Sequence, residues 1–296
     1  MQDSRIFIFG LGYSAGAFAR RVRGRVAALS GTVRTRERAA ALRAEGIEAF
    51  VFDGDAAAVA DAAIADALAR ATHLVPSIAP GAGGDPALLA FQEAIAAAPM
   101  LSWIGYLSTV GVYGDHGGGF VDETTPPRAV SERSRRRVAA EAAWRALGER
   151  RGVPVALLRL AGIYGPGRNT FVHLADGTAR RLVKPGQVFN RIHVDDIAAV
   201  IEAAAERRAR GVFNVADNEP APPQDVVAYA AALAGYPPLP DISFETATLS
   251  PMARSFYGEN KRVSNGRLAR DLGVTLRYPT YRDALAALWA DGAWKG

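Results

Sequence analysis

A glycine-rich turn between a short apolar run and a helix-like segment constrains the fold of this 296-residue chain more than any other feature. The run Arg5–Phe9 predicts a strand and Ser14–Arg23 predicts a helix, while residues 10–16 read Gly-Leu-Gly-Tyr-Ser-Ala-Gly. A strand, a tight glycine turn and a helix in this order are typical of the first unit of a parallel α/β sheet. We therefore expect this part of the chain to form such a unit.

The alternation of apolar runs with alanine-rich helical stretches continues to about residue 215. Further strands are predicted at Thr32–Arg34, Ala49–Asp53, His73–Ser77, Trp103–Ser108, Val155–Arg159 and Val212–Val215. The helices between them are predicted at Arg36–Ala44, Ala56–Ala71, Pro86–Ala98, Glu132–Arg150 and Ile197–Arg207. Strands that are apolar on both faces are typical of a parallel sheet between two helix layers. The sequence therefore predicts an α/β protein with a Rossmann-type, doubly wound parallel sheet.

The remaining segments are expected to cover one edge of that sheet. Residues 1–165 form the predicted core and residues 191–216 return to it, while the breakers Gly-Pro, Arg-Asn and Pro-Gly in residues 166–190 predict a substrate-side loop with a short helix or a hairpin. Residues 217–296 are expected to form a small C-terminal α/β lobe over the carboxyl ends of the strands, where ligands bind in such sheets. The helices predicted in this lobe are Pro223–Leu233, Ser264–Leu272 and Tyr281–Trp289.

The composition of the chain narrows its partners and its location. The net charge is +5, and arginine carries nearly all of the basic charge because there are only three lysines. No module that combines aromatic and basic residues for nucleic-acid binding is present, so we expect a small, anionic ligand and no nucleic acid. No apolar stretch reaches the ~20 residues of a membrane span. With no cysteine, no signal-peptide pattern and four scattered histidines, the chain is expected to be cytoplasmic, without a membrane partner or a metal site.

The glycine turn has the features of a site for the diphosphate of a dinucleotide. Gly10 stands where the chain must fold back tightly, and Gly12 stands where the backbone must approach the diphosphate. Ala15 occupies the third position, where the helix packs on the strand. The backbone amides of Tyr13, Ser14 and Ala15, with the positive end of the helix dipole, would hold the diphosphate.

The residues after the second strand indicate which nicotinamide cofactor binds. NAD-binding sheets place an acidic residue ~20 residues beyond the glycines, where it binds the ribose hydroxyls. Arg34 and Arg36 occupy that stretch here, and a guanidinium suits a 2′-phosphate by its charge and its forked geometry. The sequence therefore predicts NADP, with NAD less favoured; the competing interpretation is a solvated, arginine-rich helix start. Asp53, which ends the third strand, is predicted either to contact the adenine or to cap the next turn.

Three further segments resemble a known family. Residues 106–115 (Tyr-Leu-Ser-Thr-Val-Gly-Val-Tyr-Gly-Asp), 158–167 (Leu-Arg-Leu-Ala-Gly-Ile-Tyr-Gly-Pro-Gly) and 191–198 (Arg-Ile-His-Val-Asp-Asp-Ile-Ala) resemble segments of the extended short-chain dehydrogenase/reductase superfamily, the NAD-dependent epimerase/dehydratase-like proteins. Together with the glycine turn they extend from residue 5 to about 215 in the order of that family. Residues 259–265 (Glu-Asn-Lys-Arg-Val-Ser-Asn), followed by Leu-Gly at 272–273, are similar to its YeeZ-like atypical subgroup.

The resemblance implies a catalytic site and a departure from it. In the family a Ser or Thr on the fifth strand orients the substrate oxygen, and a Tyr four residues before a Lys on the next helix moves the proton. Thr109 matches the first position, with Ser108 as the alternative. The tyrosine and lysine positions fall on Arg133 and Arg137. Because an arginine stays protonated at any working pH, Arg133 cannot do the work of the tyrosine, and shifting the alignment by two residues brings no tyrosine there either.

The two arginines leave alternatives open. Arg133 and Arg137 lie one turn apart on one helix face, where they either grip an anionic substrate or the phosphates of the cofactor, or form a solvated basic face. The one Tyr-x-x-x-Lys of the chain, from Tyr257 to Lys261, is expected to lie far from the catalytic position. Three other candidate proton donors, which are expected to have structural roles, are Tyr113, Tyr164 and His193.

Three functions are compatible with these features. The main hypothesis is an NADP-dependent oxidoreductase or epimerase-like enzyme that transfers a hydride to or from a carbonyl or alcohol carbon, with Arg133 or Arg137 as the electrophilic partner of Thr109. The missing tyrosine favours a non-catalytic NADP-binding sensor or regulatory protein. The resemblance alone favours a sugar-nucleotide epimerase or dehydratase. A homodimer through the predicted helix at residues 132–150 is compatible with each.

Overall fold

The computed structural model describes residues 1–54 and 61–296. In chain order the strands are β1 (Arg5–Phe9), β2 (Ala28–Val33), β3 (Glu48–Val51), β4 (His73–Pro76), β5 (Trp103–Thr109), β6 (Phe120–Val121), β7 (Val155–Leu160), β8 (Gly162–Tyr164), β9 (Arg181–Val183), β10 (Arg191–His193), β11 (Gly211–Val215), β12 (Asp241–Ser243) and β13 (Arg262–Val263). The helices are α1 (Tyr13–Val22), α2 (Arg36–Ala44), α3 (Ala62–Ala69), α4 (Pro86–Ala97), α5 (Glu132–Arg151), α6 (Thr170–Ala175), α7 (Val194–Glu206), α8 (Pro223–Leu233), α9 (Pro251–Phe256), α10 (Arg267–Leu272) and α11 (Tyr281–Ala290), with 3₁₀ turns at Val110–Tyr113 and Ala293–Lys295.

Seven strands form one parallel sheet in the order β11-β7-β5-β4-β1-β2-β3. From β1 the chain moves outward through β2 to β3, and it then returns to place β4 on the other side of β1. A reversal of strand order of this kind opens a crevice at the carboxyl ends of the two central strands. The predicted Rossmann-type, doubly wound α/β sheet is therefore confirmed.

Helices cover both faces of this sheet. Successive residues of a strand point to opposite faces, so Ile8 of β1 packs with Phe18 of α1 in one apolar cluster, whereas Phe9 packs with Phe91 of α4 and Trp144 of α5 in another. Both faces of β1 are thus buried, which explains why the strand reads as a continuous apolar run.

Three short parallel strand pairs connect the later part of the chain to this core: β8 with β10, β9 with β12, and β6 with β13. A third apolar cluster lies among α6, α8 and α11, where Phe171, Ala230 and Leu285 are buried. The β6–β13 pair matters most for the site, because β6 follows β5 closely in the chain. It brings the residues that precede β13 beside the carboxyl end of β5.

The predicted bounds agree best within the sheet and its helices: β1, α2 and α8 match their predictions. Residues 166–190 contain the short helix α6, one of the two predicted alternatives, and β9 of the same segment pairs in parallel with β12. One detail was wrong. The helix predicted from Ser264 begins at Arg267, because the Ser264 amide still donates to the Val121 carbonyl and extends the β6–β13 pair. Residues 56–60 of the helix predicted at 56–71 lie outside the described residues.

None of the helices in residues 1–54 and 61–296 is long and apolar enough to cross a membrane.

Candidate cofactor and substrate site

The glycine turn joins β1 to α1 at the centre of the sheet. Gly10 has a φ of +87°, which favours glycine, and a Cβ there would lie 2.9 Å from Cγ1 of Ile78. Its amide donates to Oγ1 of Thr32 over 2.9 Å, which fixes the turn against β2. Gly12 is the N-cap of α1, and a Cβ there would meet no heavy atom within 4 Å. The space before the helix is therefore open to a diphosphate, and amides of the first turn have no intrahelical acceptor.

The first residues of α1 contribute in different ways. Ala15 is fully buried, so it can serve a ligand only through its amide, and Ser14 beside it is mostly buried. The Tyr13 hydroxyl donates to the Pro166 carbonyl over 2.9 Å, and the Arg168 guanidinium lies 5.9 Å from the centroid of its ring. Burial raises the pKa of Tyr13 above its ordinary value. Tyr13 therefore connects the glycine turn to the segment that follows β8.

Two arginines follow the carboxyl end of β2. Arg34 and Arg36 are exposed, and neither guanidinium has a hydrogen-bond or ion-pair partner among the described residues. Between them Thr35 caps α2, its Oγ1 accepting from the Arg38 amide over 3.3 Å. Asp53 is exposed two residues beyond β3, the next strand of the sheet. The predicted 2′-phosphate contacts and the predicted adenine contact thus lie at the carboxyl ends of adjacent strands.

A cavity of about 730 Å³ lies at the carboxyl ends of β4, β5 and β7. Its walls come from the residues after these strands, the first turns of α5, the approach to β10 and the segment at residues 253–261. The cavity therefore lies between the sheet and the later part of the chain, at the edge of the sheet where ligands bind in folds of this kind.

The three sequence-predicted catalytic residues all line this cavity. Thr109 ends β5, and its Oγ1 accepts from the Gly111 amide over 3.1 Å, so the hydroxyl proton stays available to a ligand. The Arg133 guanidinium lies over the Phe256 ring, 4.0 Å from its centroid. Nη1 of Arg137 donates over 2.9 Å to both the Tyr106 hydroxyl and the Leu107 carbonyl of β5.

The arginines therefore belong to the cavity wall and are held by specific contacts, Arg133 by an aromatic ring and Arg137 by β5. The remaining N–H groups of Arg137 have no acceptor in the described part of the chain and are free for an anion.

Cations dominate the cavity wall. Besides Arg133 and Arg137 it includes the side chains of Arg168, Arg191 and Lys261. The only acidic residue that lines it within the described chain is Glu259, whose Oε2 accepts from Nζ of Lys261 over 2.7 Å. Most of the positive charge thus has no carboxylate partner in the cavity, which favours an anionic occupant.

Arg191 sits at the buried end of the same wall. Its Nη1 donates to the Phe189 carbonyl over 2.9 Å and to the Ala221 carbonyl over 3.1 Å. Burial lowers the pKa of Arg191, an effect that the neighbouring Asp217 opposes. Burial also raises the pKa of Asp217 to about 7. Removing the charge of Arg191 or of Asp217 from water costs free energy, so a bound anion would stabilise the guanidinium of Arg191.

The expectation that Tyr257 and Lys261 lie far from the catalytic position was wrong. Both residues line the cavity that contains Thr109. The physical reason is the β6–β13 pair, which fixes the chain just after Lys261 beside the segment that follows β5. Nζ of Lys261 also donates to the Gly114 carbonyl over 2.8 Å, directly beyond the 3₁₀ turn after β5. Tyr257 and Lys261 are distant from Thr109 in sequence, and no local sequence pattern indicates that they line the same cavity.

The other candidate proton donors are held in structural contacts. The Tyr113 hydroxyl donates to Oδ1 of Asn214 over 2.7 Å. Nδ1 of His193 accepts from the Asp195 amide over 3.2 Å at the start of α7, and burial lowers the pKa of His193 to about 4. The Tyr164 ring lines the cavity, but its hydroxyl oxygen is buried without a hydrogen-bond partner among the described residues.

No group of three or more His, Asp or Glu side chains in the described ranges could hold a metal ion.

The sheet order and the glycine turn define a Rossmann-type, nucleotide-binding protein. The model of the NAD dependent epimerase/dehydratase family matches residues 92–216. "Protein YeeZ" of Escherichia coli strain K12 is 30% identical over 286 residues, which cover 93% of this chain and 96% of that protein. The chain therefore belongs to the NAD-dependent epimerase/dehydratase family, within the extended short-chain dehydrogenase/reductases.

Solved structures agree with this assignment. A conserved protein of unknown function from Silicibacter pomeroyi is 48% identical, with a TM-score of 0.87 over 98% of this chain and 99% of that one. UDP-glucuronic acid 4-epimerase from Bacillus cereus, solved in complex with NAD, is 15% identical with a TM-score of 0.72 over 95% of this chain and 96% of that one. The second similarity shows the shared fold alone.

Proposed function

We propose that the protein is an NADP(H)-dependent oxidoreductase that acts on a small anionic carbonyl compound or alcohol, and that its site works without the tyrosine and lysine usual on α5. The observation that carries the proposal is the cavity beside Thr109, whose wall combines Arg133, Arg137, Arg168 and Arg191 with one acid among the described residues, which is already paired.

NADP would bind across the glycine turn. Gly10 and Gly12 let the backbone approach the diphosphate, and Arg34 and Arg36 would hold the 2′-phosphate. When bound, the cofactor supplies or accepts a hydride. NAD is the alternative because it is bound in the structure of the Bacillus cereus epimerase. Two unpaired arginines after β2, where NAD sites place a carboxylate, favour NADP over it.

The substrate would lie between β5 and the residues after β12. The Thr109 hydroxyl donates to its reacting oxygen, and Arg137, held against β5 by two hydrogen bonds, places a positive charge next to that oxygen. Arg133 would hold a carboxylate or phosphate of the substrate. In this proposal residues 217–296 form the substrate lobe over a core of residues 1–165 and 191–216, and residues 166–190 complete the substrate side.

A second candidate is a non-catalytic NADP(H) sensor. The observation that favours it is the absence of a tyrosine at position 133, where the family places its proton donor. The sugar-nucleotide epimerases and dehydratases among the structural neighbours lead to a third candidate, which the same absence disfavours.

Matched pairs of carbonyl compounds test the proposal. NADPH consumption is followed with phenylglyoxylate against its methyl ester, and with glyceraldehyde 3-phosphate against glyceraldehyde. We expect the charged member of at least one pair to react faster, by an advantage that shrinks at high salt because the arginines are solvent-accessible. Arg133→Gln should reduce the advantage about tenfold, whereas Arg145→Gln, an exposed arginine elsewhere on α5, should leave it unchanged.

Two outcomes would contradict it. NADPH binding without turnover of any compound would favour the sensor. Equal rates for the charged and uncharged members of both pairs would show that the arginines do not select an anionic substrate. The double variant Arg133→Tyr and Arg137→Lys discriminates further, since an enzyme that depends on its arginines loses activity, whereas a site that merely lost the family pair gains carbonyl reduction.

A further inference from the structure

We propose that Tyr257 is the proton donor and acceptor of this site, in place of the tyrosine that α5 lacks. The inference rests on the proposed function and assigns its missing acid to the segment just before β13. It reverses the expectation from sequence, in which Tyr257 is too distant to take part.

Few side chains that line the cavity can donate a proton. The chain has nine tyrosines and no cysteine. Of the described residues that line the cavity, only Tyr164 and Tyr257 are tyrosines and none is a histidine. The one carboxylate, Glu259, is engaged by Lys261. A phenol is therefore the acid that remains available beside Thr109.

The two phenols differ in accessibility. The hydroxyl of Tyr164 is sealed from solvent, and burial foremost, with Asp217 next, raises the pKa of Tyr164. A sealed hydroxyl cannot reach a substrate oxygen without rearrangement. The hydroxyl of Tyr257 has no hydrogen-bond partner among residues 1–54 and 61–296 either, although the side chain is mostly buried, and it is not sealed. An accessible, unpartnered phenol in a cavity wall is positioned for a ligand.

Two aromatic rings fix the position of Tyr257. Its ring packs edge-on against Phe189, with centroids 5.1 Å apart, and stacks on Phe244 at 4.9 Å. The residue before it, Phe256, receives the guanidinium of Arg133. Arg133 occupies the position of the family tyrosine, so the side chain that replaced this tyrosine reaches over to the neighbour of Tyr257. In this proposal the proton donor comes from the segment before β13 and not from α5.

The cation that assists Tyr257 is Arg191 rather than Lys261. Lys261 directs its ammonium to the Gly114 carbonyl and to Glu259, so the Tyr-x-x-x-Lys spacing does not make a catalytic pair. Arg191 and Tyr257 line the same cavity. Burial raises the pKa of Tyr257, and the guanidinium charge of Arg191 opposes that rise. Arg191 thereby stabilises the phenolate, which is the role that the family gives to its lysine.

Reduction of a carbonyl compound requires a hydride at its carbon and a proton at its oxygen. As the carbonyl carbon accepts a hydride from the reduced nicotinamide cofactor, the electron pair of the C=O bond moves to oxygen. That oxygen takes the phenol proton of Tyr257, and the phenolate recovers a proton from water. In oxidation of an alcohol the phenolate would accept the hydroxyl proton while the carbon gives its hydride to the oxidised nicotinamide cofactor.

Tyrosine NMR tests the placement without turnover. Protein labelled with ¹³C at the tyrosine Cζ is compared with Tyr257→Phe and Tyr164→Phe, which identify the two resonances. We expect NADP⁺ to shift the Tyr257 resonance and to lower its pKa by at least about one unit, the effect of a unit charge within about 12 Å at an effective dielectric constant of about 20. Adenosine 2′,5′-bisphosphate, which lacks the nicotinamide, should bind without this effect.

Kinetics test the role in catalysis. With the carbonyl compound that the wild type reduces fastest, Tyr257→Phe should lower kcat about 100-fold or more and leave the affinity for NADPH unchanged. Tyr236→Phe, at an exposed tyrosine of the lobe, is the matched control.

The possible failures are distinguishable. If NADP⁺ binds but leaves Tyr257 unmoved, or if Tyr257→Phe keeps its kcat, the inference is overturned and the proposed function stands. If neither nucleotide binds, or no compound is turned over, the proposed function fails and the inference fails with it.

Discussion

The open space before Gly12 predicts that a substitution there changes cofactor binding without changing the stability of the fold. Gly12 is the N-cap of α1 with φ of −85° and ψ of −157°, a conformation open to any residue, and its side chain would enter empty space. Aspartate is among the best N-cap residues, so Gly12→Asp should fold as well as the wild type, within about 0.5 kcal/mol. Its carboxylate would nevertheless stand where the diphosphate has to pass.

The expected loss of binding is large. A carboxylate about 4 Å from a phosphate charge costs about 4 kcal/mol at an effective dielectric constant of about 20, which is roughly a 1,000-fold loss of affinity. NADPH at about 100 times its Kd stabilises the wild type by about 2.7 kcal/mol, and at the same concentration the variant gains under about 0.1 kcal/mol. For a chain of this size the wild-type gain corresponds to a rise in Tm of about 5 °C.

Thermal melting with and without NADPH measures both quantities. Gly266→Asp is the matched control, because Gly266 is the N-cap of α10 and a Cβ there also enters open space. The control should keep the full NADPH-induced rise. If Gly12→Asp also kept the rise, the cofactor would bind elsewhere. If the variant without ligand lost several degrees, the space before α1 would not be open.

Three further predictions concern charges. Arg34→Asp should make the protein prefer NADH over NADPH in titrations, whereas Arg145→Asp should not; an unchanged order in the first variant would contradict the assignment. Glu141→Ala leaves Arg159 buried without the carboxylate that it contacts at 2.7 Å, and should cost about 3–5 kcal/mol in urea unfolding. A cost below about 1 kcal/mol would show that the pair is dispensable. Burial raises the pKa of Asp217 from 3.8 to about 7, so the folded chain keeps a proton that the unfolded chain releases, and stability falls as pH rises from about 4 to 7. Asp217→Asn should remove this part of the decline between about pH 4 and pH 7; an unaltered decline would assign it to other groups.

The sheet could be predicted from sequence because its signals are local. Each central strand is an apolar run buried on both faces, and turn residues stand at its ends, so the bounds of β1 follow from its own residues. Thr109 was predicted from the resemblance of residues 106–115 to the family, and the structure places it at the end of β5. The cofactor residues were predicted from their distance to the glycine turn along two adjacent βα units.

The later part of the chain lacks such signals. β9 and β12 have three residues each and β13 has two, too few to show an alternation of apolar and polar side chains. Their pairing joins residues that are far apart in sequence, and it fixes the chain on either side of Tyr257. The contact between Arg133 and Phe256 could not be predicted either, because Phe256 comes from a six-residue helix that had not been predicted.

The central claim is that the crevice beside the glycine turn binds a dinucleotide with a 2′-phosphate. Titration of the unmodified protein with NADPH and with NADH, followed by cofactor fluorescence at low ionic strength, tests it most directly. The free guanidinium groups of Arg34 and Arg36 predict that NADPH binds at least about tenfold more tightly, a difference of about 1.4 kcal/mol. Equal affinities, or tighter binding of NADH, would contradict the account.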